Sequence, residues 1–509
     1  MIHKYLVGSS KMQKKCLFIV LAVLTGCVFS QSWVTERTGP ASNDLGPLRD
    51  AIIRSEIIDI GQSPARFNGN RIAYAHPSCI DETRQGTIVI GFNGGDVEAE
   101  GNHAYTLRKP AGESWNDPII LEDGGQIDFG VIYQPRNIQN APILAYYWLG
   151  GPPSNADGAI RYSTDDGATW SSRTLAPQSS YWSDNRGTMQ CGMNHPLEWP
   201  DGTLWFASSD EGQGLYDCHA YITKVPPDNY ANDGGSNWEV TDIQGNSTDG
   251  HTHGTWLILG KDAQGNPEEI IRMSRTNFCN TPTYRYSDNG GDSWGSWQTV
   301  SVNQNGSLGG ISNLNCGIST VSLDWDNPDS PLNGLHVLAG SGHKRSALNV
   351  TISQDPLGGS WDAAIQLNVL ERPFLDQSGQ VPPIPSEVSD DHENADPTLF
   401  QARDGNIHLL FTGREGNLLK YYVIDPYVLF DLDATNAAKT PKGEIKFLRG
   451  NNSSIAVFDL SGKCLYRKDN ISVRNFNLTS RIPGISTGMY YVSIRNNTGA
   501  SVVKRLITE

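Results

Sequence analysis

Six stretches of the sequence place polar or titratable side chains directly before an apolar run: His76; Asp128; Asn194 and His195; His251 and His253; Asn313 and Asn315; and Glu393, Asn394 and Asp396. An imidazole titrating near neutrality, with carboxylates and amides around it, suits proton transfer. His251 and His253, two apart on a strand, are expected to share one face. With His195 they would make a Zn2+ set, for which two histidines alone are weak evidence. The acidic stretch 324–329 reads as a surface loop in preference to a Ca2+ site. No cofactor is expected.

These residues need a scaffold that brings six distant segments together. Residues 86–92, 201–207 and 404–411 are apolar runs opened by a polar turn, each reading as part of the first hairpin of a four-stranded unit. Between such runs a pattern recurs: Ser163-Thr164-Asp165-Asp166-Gly167-Ala168-Thr169-Trp170 and Ser287-Asp288-Asn289-Gly290-Gly291-Asp292-Ser293-Trp294. Weaker copies end at Trp115, Trp238 and Trp361, so the five tryptophans are 55, 68, 56 and 67 residues apart. In each, the Asp side chain is expected to accept turn amide hydrogens, the Gly to take a positive φ, and the Trp to fill the space between neighbouring sheets.

The 509 residues include 53 Gly, 28 Pro and 13 Trp with 18% charged, which describes a turn-rich globular chain. Lys and Arg total 39 against 55 Asp and Glu, and the net charge of -16 argues against a general nucleic-acid or anionic-membrane binder. Lys11, Lys14 and Lys15 precede an apolar run too short to span a bilayer comfortably, so residues 1–30 read as a secretory signal peptide. Leu24-Thr25-Gly26-Cys27 is similar to a lipoprotein cleavage box. Cutting near Ser30 or Ser32 would instead give a soluble product, and that outcome is the expected one. Outside the leader, Cys79, Cys191, Cys218, Cys279, Cys316 and Cys464 match no zinc or redox spacing, and an exported chain could pair some of them.

The tryptophan repeat resembles the Asp-box of bacterial-neuraminidase-type propellers. That resemblance implies an all-β propeller in which these polar residues start the channel-lining strands, and six such starts make a six-bladed propeller over residues 31–430, its last blade closed by the N-terminal strand. A linker over 431–442 leads to residues 443–509, where Asp459-Leu460-Ser461-Gly462 and Thr487-Gly488-Met489-Tyr490-Tyr491 resemble the C-terminal sorting domain of the type IX secretion system of Bacteroidetes. It implies the type IX machinery as a partner and a secreted or cell-surface product. A carbohydrate-binding or adhesion module is the alternative for this segment.

Sialidases clamp a substrate carboxylate with three arginines, use a tyrosine nucleophile with a glutamate, and protonate the leaving group with an aspartate. Here His76-Pro77-Ser78 stands where the resemblance would place the first arginine, His251 or His253 where it would place the glutamate, and residues 394–396 where it would place the tyrosine. Two arginines look retained, Arg272 or Arg275 and then Arg345. His103, with Asp96, Glu98 and Glu100, lies near the position of the acid. Tyr147 and Arg161 flank a Gly/Pro-rich loop, and Tyr147 also fits a packing role.

Two guanidiniums hold a carboxylate, but without tyrosine and glutamate a covalent glycosyl intermediate has no attacking group. A histidine beside an arginine-neutralised carboxylate suits proton abstraction, hence β-elimination from a uronic acid. Propeller-type polysaccharide lyases, ulvan lyases among them, use such a kit, a likeness of chemistry only. The expectation is a lyase or dehydratase on acidic glycans with His76, His103, His251, His253 and Tyr147 as catalytic candidates. Arg161, His195, Arg272, Arg275, Arg345 and Asp396 are the substrate-binding candidates. A divergent exo-sialidase or other glycosidase, and a non-catalytic glycan-binding propeller, stay open.

Overall fold

The computed structural model describes residues 34–38, 51–61, 67, 72, 74–95, 102–125, 127–149, 157–177, 194–210, 219–231, 238–245, 250–276, 282–300, 317–328, 330–341, 348–357, 361, 365–366, 394–413 and 418–430, and six strands between 444 and 508. At 34–38, 74, 76–78, 157, 210, 341, 365–366, 394–395 and, apart from 466–467, 444–508, it describes backbone alone. The signal peptide and the linker of the sequence reading lie outside these residues, as do the side chains of Cys191, Cys218, Cys279, Cys316 and Cys464. Cys79 is free and buried.

Six antiparallel sheets follow one another along the chain. The first blade is built from Tyr74–Glu82, Ile88–Gly95, His103–Lys109 and Ile119–Glu122, and the second from Ile127–Tyr133, Ile143–Leu149, Asp157–Ser163 and Thr174–Leu175. The third uses Leu197–Glu198, Leu204–Phe206, His219–Val225 and Glu239–Asp242, with Ser209–Asp210 also paired to its third strand. His251–Lys261, Pro267–Thr276, Thr283–Ser287 and Gln298–Thr299 make the fourth, and Ile318–Ser322, His336–Ser341, Leu348–Ser353 and Ile365–Gln366 the fifth. The sixth blade joins Asn394–Gln401, Ile407–Gly413 and Leu418–Ile424 to the N-terminal strands Ile52–Asp59 and Val34–Thr38. Closure by the N-terminus is therefore as the sequence implied.

The boxes make the contacts expected of them. Asp165 accepts from the Thr169 amide at 2.8 Å and the Thr169 hydroxyl at 2.6 Å, and these bonds hold its carboxyl below the usual range. Asn289 repeats the arrangement, accepting from the Ser293 amide at 3.0 Å. Gly167 and Gly291 take φ of 80° and 86°. Each tryptophan packs toward the preceding blade: Trp115 against the sixth, Trp170 the first, Trp238 the second, Trp294 the third and Trp361 the fourth. Trp115 also donates to Glu56 at 2.5 Å, tying the first blade to the closing strand. Between the fifth and sixth blades Leu399, Leu409, Phe411 and Tyr422 pack on Val337, Ala339 and Val350.

The C-terminal segment forms two antiparallel sheets of its own: Glu444–Lys446 with Asn475–Asn477, and four strands in the order Cys464–Ile471, Ser453–Phe458, Gly488–Arg495, Ser501–Thr508.

Candidate functional site

The innermost strands break their regular pairing close to their starts. Register shifts lie between Ala75 and Ser78, Phe129 and Val131, Thr252 and Thr255, and Ala395 and Thr398. Three non-glycine residues at or just before these starts have positive φ: Asn194 at 88°, His253 at 49° and Asp396 at 48°. Asn, Asp and His tolerate this region better than most residues, and such outliers gather at functional sites. A bulge re-aims a side chain that strict alternation would send elsewhere.

Asn194 reaches across to two other blades, its Nδ2 donating to Gly254 O at 3.2 Å and to Ile318 O at 2.8 Å. Asp396 Oδ1 accepts the Gly317 amide of the fifth blade. His195, next to Asn194, bonds Ile80 O of the first blade through Nε2 at 2.6 Å. Its ring packs 5.3 Å from Tyr133 of the second blade and 5.4 Å from Phe400 of the sixth. The dipeptide 194–195 of the third blade thus touches all five others and fills the axis. Burial pulls the His195 pKa down, against the pull of Asp81. These contacts make His195 a packing plug between the first, second and sixth blades.

Arg275 Nη1 lies 3.3 Å from His253 Nδ1, both residues being 7% exposed. A guanidinium N–H facing Nδ1 makes that nitrogen the acceptor, so the neutral ring carries its proton on Nε2. The neighbours of His253 are both anchored to the third blade, Thr252 Oγ1 to Ser209 Oγ at 2.9 Å and Gly254 O to Asn194. A Cβ on Gly254 would stand 2.6 Å from that of Ala207 and 2.9 Å from Arg272 Nη2, so glycine is required by space.

The remaining candidates fall elsewhere. His251 does not share the face of His253, because the bulge separates them. It is buried, stacked 3.6 Å from Trp297 and bonded to Thr283 Oγ1 at 3.0 Å. Burial, then the Arg272 and Arg285 charges, push its pKa down to about 3, so it stays neutral. Arg272 is fully buried, donating to Ser208 O at 2.7 Å, and burial lowers its pKa to about 9; it braces the third and fourth blades and leaves Arg275 as the clamp candidate. Tyr147 and Arg161 belong to a network between the first two blades. There Arg161 Nε donates to the Tyr147 hydroxyl at 3.0 Å, and that hydroxyl to Glu122 at 3.1 Å. Burial raises Tyr147 to about 12, the reverse of an activated phenol. His103 sits on a third strand, its Nδ1 2.9 Å from Asp123. Asp128, at the start of the second blade, accepts from Trp148 Nε1 at 3.1 Å.

The backbone of His76 lies at the bulge of the first blade, while its side chain, Arg345, Asp96, Glu98, Glu100, Asn313, Asn315 and Glu393 are outside the description. His195, His251 and His253 do not converge, and among the described residues no group of three or more His, Cys, Asp or Glu could hold a metal. Asp324 is engaged within its own loop by Ser330 Oγ.

Sequence reasoning missed the ring at the other end of the innermost strands. Glu198 accepts from Tyr133 Oη at 2.7 Å and from the amides of Arg136 and Asn137 at 2.6 Å each. Asp81 accepts from the Gln134 amide at 2.8 Å and pairs with Arg136. Both carboxylates are buried. The available signal was the pair His76-Pro77 and His195-Pro196, each followed within one strand by an acidic residue.

Six blades of four or five strands, stapled by Asp-boxes around an axis lined with polar residues, define a sialidase-like β-propeller. The chain belongs to the BNR repeat-like domain family, whose model matches residues 87–409. The secretion system C-terminal sorting domain matches residues 441–509. That domain directs the chain to the cell surface or outside, and no helix among the described residues is long and apolar enough to cross a membrane. Similar solved structures include the NanB sialidase of Streptococcus pneumoniae, with 11% identity and TM-score 0.48 over 70% of this chain and 69% of that one. The intramolecular trans-sialidase of Ruminococcus gnavus shares 10% identity at TM-score 0.49 over 71% and 96%, and the α-L-arabinanase of Penicillium chrysogenum 14% at 0.43 over 69% and 93%. No curated protein matches the sequence.

Proposed function

We propose that the chain is an exported carbohydrate-active enzyme that cleaves carboxylate-bearing glycans by elimination at a uronic acid. The observation that carries this reading is the His253–Arg275 pair beside the axis. A sialidase-like propeller with a sorting domain supports a glycan met outside the cell.

The chemistry follows from what each group offers. A substrate carboxylate draws the Arg275 guanidinium into a bidentate pair and releases His253 Nδ1 as a base. That nitrogen takes the proton from C5, next to the carboxylate. The C–H electron pair becomes the C4=C5 double bond, the C4–O bond breaks, and the leaving oxygen takes a proton from an acid. Arginine at the carboxylate stabilises the enolate-like charge that builds up on the way. His76 is the proposed acid, Arg345 the second guanidinium, and Asp396 the group that orients a sugar hydroxyl.

Hydrolysis through a tyrosine fits less well. Two tyrosine–glutamate pairs occur among the described residues, Tyr133 with Glu198 and Tyr147 with Glu122, but both tyrosines are buried, and burial raises both phenols instead of activating them. The test is product analysis over a panel of uronate, sialylated and neutral oligosaccharides. Ultraviolet absorbance from a conjugated C4=C5 bond is expected. Free sialic acid, or a new non-reducing end that is saturated, would overturn elimination, and binding without turnover would make the propeller a lectin-like module.

A further inference from the structure

We propose that Asn194 is a positioning residue for the His253–Arg275 pair, a role that rests on the reading above. Its carboxamide is oriented without ambiguity: two carbonyl oxygens, Gly254 O and Ile318 O, face one nitrogen, and only the NH2 end can satisfy both. The bond to Gly254 falls on the residue that follows His253, at the bulge where His253 takes a φ of 49°. Thr252, on the other side, is held by Ser209. His253 is thus fixed from both flanks by the third blade, and its direction toward Arg275 is set by a neighbour rather than by its own strand.

Asn194 itself is well suited to the task. It is 6% exposed and takes a φ of 88°, where asparagine is tolerated and larger β-branched residues are not. Its Oδ1 is turned away from the two carbonyls and, among the described residues, has no hydrogen-bond donor although it is buried.

The experiment compares Asn194→Asp and Asn194→Gly in the full exported chain. Aspartate keeps the shape and turns an oxygen toward two carbonyls, whereas glycine accepts the positive φ and removes only the amide. Two readouts are taken, the imidazole NMR signals of His253, assigned by their loss in His253→Gln, and kcat and KM on a uronate oligosaccharide. Both variants are expected to move the His253 signals and to lower kcat by about 100-fold with little change in KM, as small misplacements of a reacting group do. Wild-type His253 signals in folded Asn194→Gly would overturn the proposal, as would moved signals with an unchanged kcat. If the wild-type chain turns over no uronate glycan, the functional reading fails, and the His253 signals still decide whether Asn194 positions that ring.

Discussion

The carboxamide nitrogen of Asn194 lies 2.8 Å from the carbonyl oxygen of Ile318, a bond that crosses from the third blade to the fifth. Together with His195, whose Nε2 reaches Ile80 O at 2.6 Å in the first blade, it closes the axis of the propeller at one level. The Asp81, Arg136 and Glu198 cluster of the first three blades is satisfied by bonds within the chain.

If His195 is a plug, its removal is a stability event. His195→Ala deletes a ring packed between Tyr133 and Phe400 and leaves Ile80 O without its donor. A loss of about 2–4 kcal/mol in urea unfolding is expected, from the cavity and the unpaired carbonyl together. KM for any glycan should stay within error. A large rise in KM at unchanged stability would return His195 to the substrate site.

Acid should weaken the fold through its buried histidines. Burial lowers His195, and brings His251 to about 3 and His336 and His408 to about 4. These rings are neutral when folded and take up protons on unfolding once the pH falls below the unfolded pKa of about 6.5. Unfolding then binds protons, so stability present above that pH is lost as it falls, on the order of 2 kcal/mol each for His251, His336 and His408 by about pH 5. Glu82, raised by burial, works in the opposite sense as a single group. Urea midpoints measured from neutral pH to about pH 5 should fall steadily; a flat profile would contradict the burial of these rings.

Arg272 and Arg275 are three residues apart, and the sequence alone left either as the carboxylate clamp. Arg272→Met removes a desolvated cation that bonds Ser208 O and Ser274 Oγ. Stability should change, because two polar partners lose a donor, while KM for an acidic glycan should not. Steady-state kinetics on folded Arg272→Met checks this, and a tenfold or greater rise in KM would move the clamp from Arg275 to Arg272.

The parts of the fold set by short-range chemistry were legible. Asp165, Gly167 and Trp170 act within one turn and one blade contact, so their spacing carried the propeller, while the six polar strand starts from His76 to Asn394 carried the blade count. The site was less legible because its side chains sit where alternation fails. His251 and His253 are two apart and belong on one face of a regular strand, yet the shift between Thr252 and Thr255 sends the first under Trp297 and the second to Arg275. Tyr147 reads as a mouth residue from its neighbours, and only the packing of the first blade against the second supplies Glu122 as its partner. The role of Asn194 depends on Ile318, 124 residues away, a separation that no local pattern encodes.

The central claim is that His253 moves the proton in an elimination. Its most direct test is the rate of unsaturated product formation from a uronate oligosaccharide by the wild-type chain and by folded His253→Ala. The account predicts a conjugated C4=C5 product from the wild type and a rate lower by roughly 10²- to 10⁴-fold in the variant, the usual contribution of a general acid or base. An unchanged rate in folded His253→Ala, or cleavage by the wild type that leaves no C4=C5 double bond, would contradict it.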